Sequence, residues 1–350
     1  MPTGAEYCSS QAVVRKNELS DRPQGRARRS LSHLRRLRSS KRARLAGAVG
    51  STAIGLLLVA LAALHVRNAP MPFSQGKPTL LVAVALLFLV AFLVKACGWG
   101  RLFASPERPG PMALAAAGGG ASVMGIVLPG RFDELIRIAI VRRFPGCPAG
   151  IRSICLSLVT LGLIDSAALA PLGFTAAAWP GNSAAVRLGF AVVGIGGVLS
   201  AAVVLALPFV AASPRLMQYR LGQWLAPRAT PARRAVESWA LVSASWLIRA
   251  VALTLLLAAL GLGFNFPLAM MFLCAAAAAA ALPVSPAGAA TQVGAGAALL
   301  IVSGIGRTEA VGFALAAQTL IILAGAGALF LSVAWVTSRR LAGAAALRFR

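Results

Sequence analysis

The residues best placed to do chemistry are four charges beside a turn, in Leu128-Pro129-Gly130-Arg131-Phe132-Asp133-Glu134-Leu135-Ile136-Arg137. Pro129-Gly130 turns the chain. Asp133 and Glu134 then suit the first turn of a helix, where the macrodipole favours negative charge. Arg131 and Arg137 each carry a planar fork that can hold a phosphate through two hydrogen bonds, with the amides of the helix N-terminus adding to the field. Glu134 and Arg137 are also i,i+3 neighbours and could bind each other. The local pattern therefore leaves two readings open, an anion site or a turn braced by its own salt bridges.

Two further charges lie inside apolar runs, Asp165 in ICLSLVTLGLIDSAALAPLGF and Arg249 in SWLIRAVALTLLLAALG. An isolated charge at membrane depth costs several kcal/mol, so a direct Asp165–Arg249 pair or a bound ligand is expected, the pair serving either structure or the passage of a substrate. Lys95 stands near the end of its run and is expected to snorkel to the surface.

The rest of the chain says what surrounds these residues. Of 350 residues, 58% are hydrophobic and 12% charged, against about 45–50% and 25% in ordinary soluble domains. Mean hydropathy is +0.79, held up by runs of about twenty apolar residues, long enough to cross a bilayer as helices. A soluble globule is excluded. The 34 Lys+Arg against 9 Asp+Glu give +25, but the cations sit in the N-terminal tail and in loops between runs. They read as orientation signals and contacts to anionic lipid rather than as a nucleic-acid surface.

Cys8, Cys97, Cys147, Cys155 and Cys274 form no CxxC, and the only histidines are His33 and His65, so neither a metal nor a disulfide framework is expected. No GxSxG, HExxH or Walker A signature occurs, and the scattered acids do not suggest a hydrolase. Neither an enzyme nor a cofactor is indicated. Gly194-Ile195-Gly196-Gly197 and Gly325-Ala326-Gly327 lie in apolar runs and read as close helix contacts.

Residues 1–44 hold twelve Lys/Arg and three acids with little apolar periodicity, the composition of a disordered basic tail. Its end, with Leu31, Leu34 and Leu37 among arginines, could lie on an anionic leaflet or be a solvated basic run. Six runs read as full spans, about 45–66, 79–98, 153–178, 188–212, 239–262 and 310–336. Two other apolar stretches are broken. The first, 111–130, holds Gly118-Gly119-Gly120 and ends at Pro129-Gly130; the second, 267–304, is interrupted by Pro283-Val284-Ser285-Pro286-Ala287-Gly288. Such breaks are tolerated at membrane depth only where backbone is buried in protein or lines a cavity.

The positive-inside rule orders these pieces. Arg101 and Arg108 precede the first broken stretch and Arg142, Arg143 and Arg152 follow it. Both flanks call for the cytoplasm, which a hairpin over 111–144 satisfies and a single crossing does not. With 213–236 and the arginine-bearing C-terminus also inside, both termini are cytoplasmic. Residues 267–304 then form a second hairpin from the opposite face or two short crossings. The fold expected is all-α and polytopic: about six full spans plus two Pro/Gly-broken re-entrant segments arranged as an inverted repeat. The domains are a 1–44 tail, a 45–340 transmembrane domain and a 341–350 basic end.

LPGRFDELIR, an Asp within the following span, and the later LPVSPAG together resemble the stand-alone transmembrane module of lysylphosphatidylglycerol synthases, the flippase-like integral membrane family. The usual family pattern is LPGRxGE(L/I)xR, then LPxSPGGxGxxE. Asp133 departs from it in replacing Gly, Leu161-Gly162 stand where Glu-Arg is common, and Gln292 stands where Glu is common. If the missing acids carry ion coupling in the family, this chain has lost it or uses Asp165 and Glu134. The resemblance implies movement of an anionic phospholipid or lipid-linked head group across a bacterial inner membrane. On this reading Pro129, Gly130, Arg131, Glu134, Arg137, Asp165, Arg249, Ser285 and Gln292 contact substrate, and membrane lipids are the partners. Self-association stays open. The alternative is a non-transporting scaffold of envelope lipid synthesis whose charged clusters are structural.

Overall fold

The computed structural model describes residues 77–124, 132–281 and 288–348. Among these there are eleven helices and no strand. They are α1 Pro78–Arg101, α2 Pro111–Met124, α3 Phe132–Arg143, α4 Ile151–Ala178, α5 Ala184–Ala211, the short α6 Pro214–Met217 and α7 Arg220–Leu225, α8 Ala232–Ala259, α9 Phe266–Ala281, α10 Gly288–Val302 and α11 Arg307–Arg348. Five of these, α1, α4, α5, α8 and α11, are long and apolar enough to cross a membrane. They match five of the six expected spans. The sixth, at 45–66, lies outside the described residues, as do the 1–44 tail, Pro129-Gly130 and residues 282–287.

Helix ends follow local chemistry. Pro78 opens α1, a position where its missing N–H and fixed φ cost nothing. Ser183 caps α5 by accepting the Val186 amide, satisfying one of the donors a helix start leaves open. The long helices differ from the expected spans mainly at polar ends. Ala-Arg-Arg-Ala-Val-Glu at 232–237 already belongs to α8, because a helix continues past the lipid boundary that hydropathy detects.

Packing fixes the direction of the elements. The Lys77 amide donates to the Ala259 carbonyl at 3.4 Å, and Arg101 meets Glu237 at 3.2 Å, so α1 and α8 lie antiparallel along their whole length. α2 and α3 form one hairpin: Gly120 faces Ile140 across it. α9 and α10 form the other, with Gly296 against Phe272. The first hairpin follows the C-terminal end of α1 and the second that of α8. Because these two helices are antiparallel, the hairpins enter the bundle from opposite ends.

The order helix, hairpin, helix thus occurs twice, as α1, α2/α3, α4 and as α8, α9/α10, α11. The contacts obey the same exchange: α2 packs on α11 as α9 packs on α4, and α1 packs on α11 as α8 packs on α4. The arms α9 and α10 have 16 and 15 residues, or about 24 and 22 Å at the helical rise, short of the about 30 Å hydrocarbon core.

Small residues let the backbones approach. Gly119 lies against the Gly325 carbonyl where α2 crosses α11, and Gly197 against the Ser166 carbonyl where α5 crosses α4. Close approach of this kind replaces the hydrophobic drive that lipid does not supply between helices. α5 turns Leu188, Val192, Ile195, Leu199 and Val203 outward, all more than half exposed, the apolar face a lipid-bordering helix presents.

Candidate functional site

The charges that the helices carry to mid-depth gather around Asp165, at the centre of the 28-residue α4. Lys95 of α1 bonds its Oδ2 at 2.6 Å. The Trp246 indole of α8 donates to Oδ1 at 3.2 Å. Both carboxylate oxygens are therefore engaged. One turn beyond Trp246, the Arg249 guanidinium lies 5.1 Å from the Trp246 ring centre and 5.3 Å from that of Phe92. Lys95 covers Trp246 at 5.5 Å. One indole thus receives two cations, each attracted by the negative face of the ring.

This corrects the expected Asp165–Arg249 pair. Asp165 pairs with Lys95, and Arg249 acts on it only electrostatically. Nor does Lys95 snorkel: its side chain is 19% exposed, enclosed where α1 packs against α8. Lysine's flexible stem reaches the acid there, while the flat guanidinium is better placed on two aromatic faces.

Arg137 brings the first hairpin into this field. Its charge acts on both Lys95 and Arg249. On its own helix it bonds Asp133 at 3.3 Å, one turn earlier. The Nε groups of both Arg137 and Arg249 are buried with no acceptor among the described residues. A buried donor on a cationic group left without a partner is costly. An entering anionic oxygen would remove that cost at both arginines.

Of the residues singled out from sequence, the structure gathers Asp165 and Arg249 around Trp246, with Arg137 in electrostatic reach of Arg249. Glu134 is half-buried on α3 and has an interaction of its own. Gln292 is half-buried near the start of α10, and none of the contacts above involves it. Pro129, Gly130, Arg131 and Ser285 lie outside the described residues. Sequence reasoning missed Lys95 as a partner of Asp165, and it missed Trp246 and Phe92 entirely. The i,i+3 spacing of Trp246 and Arg249 was the available signal, since it puts both on one face of α8. Nearer the end of the bundle, Trp99 donates to Ser157 Oγ at 3.0 Å and ties α1 to α4 beside the cluster.

Five long apolar helices, two short helical hairpins entering from opposite ends and charge held at mid-helix define an all-α multi-pass membrane protein. The chain belongs to the lysylphosphatidylglycerol synthase TM region family, whose model matches residues 44–327. It is thereby a membrane protein of lipid metabolism or transport. No curated protein and no solved structure matches the chain.

Proposed function

We propose that this protein translocates an anionic phospholipid or lipid-linked head group across a bacterial inner membrane, with both termini in the cytoplasm. One observation carries the reading. Two buried guanidinium groups, Arg137 on a hairpin and Arg249 on a long helix, each keep an unpartnered Nε–H beside a completed Lys95–Asp165–Trp246 network. A purely structural ion cluster would be expected to saturate those donors.

In this reading the two arginines receive the phosphate, each able to present a fork of donors. Lys95, Asp165 and Trp246 hold the wall against which Arg249 is stacked. The hairpin carrying Arg137 brings a half-crossing segment to the site, the arrangement that midplane sites in repeat transporters use. Family membership supports a lipid as the cargo.

The test is movement of fluorescent phosphatidylglycerol between leaflets of proteoliposomes, comparing wild type with Arg249→Gln, Arg249→Lys and Arg137→Gln. Wild type should exceed empty liposomes. Each Gln variant should fall about tenfold or more, the loss expected for a charge-assisted contact. Arg249→Lys should be intermediate, keeping the charge without the planar fork. A wild-type rate equal to that of empty liposomes refutes translocation and leaves the scaffold reading.

A further inference from the structure

A second cationic site lies at the end of the bundle where α1 stops and α8 begins. A pocket of about 90 Å³ opens there, walled by Arg101, Arg228, Arg234, Phe103 and Thr230. One water needs about 10–15 Å³ measured this way, so a polyatomic ion fits. An adjoining pocket, sharing Phe103, Arg228 and Thr230, measures about 10 Å³ and holds a single water at most.

The arginines are placed by contacts that leave part of their donor capacity unused. Arg234 is anchored by the Ser105 hydroxyl at 2.9 Å and the Phe103 carbonyl at 3.4 Å. Arg228 gives one Nη to the Trp224 carbonyl at 3.1 Å and stacks 5.4 Å from the Trp224 ring centre. Its other Nη is 3.9 Å from Glu107, too far for a hydrogen bond. Its Nε is buried and has no acceptor among the described residues. Arg101 is half exposed and shares Glu237 with Arg233. Four arginines thus face two acids, and the Thr230 hydroxyl is already committed to the Leu102 carbonyl.

We propose that this pocket binds a phosphate group, held by Arg228 and Arg101 with Arg234 as the fixed wall. The site is separate from the central cluster, since Arg101 lies six residues beyond Lys95 on α1, about 9 Å along the axis. It does not depend on the transport reading. The phosphate comes either from a lipid head group in the adjoining leaflet or from a free phosphate compound.

The stack on Trp224 supplies the readout, because an anion drawing on Arg228 changes the cation over that indole. The full chain in phosphatidylcholine nanodiscs is titrated with inorganic phosphate, and in a second arm phosphatidylglycerol replaces part of the lipid. Tryptophan emission should change saturably in at least one arm, and the change should vanish in Trp224→Phe. A response to phosphate identifies a free source; a response to phosphatidylglycerol alone identifies a head group. Arg101→Gln, which leaves the Arg228–Trp224 stack in place, should weaken binding about tenfold, and Arg228→Gln, which removes the cation over the indole, should abolish the response. No response in either arm, or an Arg101→Gln affinity equal to that of wild type, overturns the site, whether or not lipid moves.

Discussion

Asp165 is held by a lysine amine and an indole N–H at once, so its charge is compensated without Arg249. Removing one member of a buried pair strands the other, at about 3–5 kcal/mol, whereas removing both can be nearly neutral. Asp165→Asn and Lys95→Met should therefore each lower stability in detergent by about that much, and the double variant should recover most of the loss. Arg249→Gln combined with Asp165→Asn should recover none of it. Thermal unfolding of the four variants separates the two pairings, and rescue through Arg249 rather than Lys95 would restore the pair expected from sequence. That expectation failed for a physical reason. Depth along each span is legible from residue counts, but which of two cations reaches an acid depends on how three helices rotate against one another. Spacing within one helix does not encode that rotation.

At the scale of the helix, adjacent glycines make opposite demands. A Cβ on Gly197 would collide with the Ser166 carbonyl and meet Ala170 at 2.8 Å, whereas one on Gly196 would meet nothing within 4 Å. Gly197→Ala should destabilise the α4–α5 contact by about 1–3 kcal/mol, as overpacking does, and Gly196→Ala should be close to neutral. Unequal melting temperatures of the two variants check this; equal ones would mean that α5 does not rest on α4 through Gly197. Hydropathy located the five described spans because each must be continuously apolar to face lipid. It could not locate α6, α7 or the polar first turns of α8, since short helices outside the apolar runs leave no period for composition to reveal. The glycine clusters were legible as contacts, but not which glycine touches and which faces outward.

For the whole molecule, the two hairpins decide how the chain meets the bilayer. Antiparallel packing of α1 on α8 sends α2/α3 and α9/α10 into the bundle from opposite ends, and their arms are too short to span comfortably. Which end is cytoplasmic belongs to the proposal above, which rests on arginine flanking the first hairpin on both sides while the connections next to the second carry little charge. Re-entrant placement of both hairpins satisfies both constraints. A Cys-free background carrying single cysteines at Ser105, Cys147, Phe264 and Thr308 tests the arrangement with an impermeant thiol reagent. Positions 105 and 147 should label from the cytoplasmic face alone, and 264 and 308 from the opposite face alone. If 105 and 147 labelled from different faces, residues 111–144 would have to cross the membrane, and the exchange between the two halves would no longer relate equivalent hairpins. Arg137 would then lie on a through-going segment, and its approach to Arg249 would have to be explained without a hairpin.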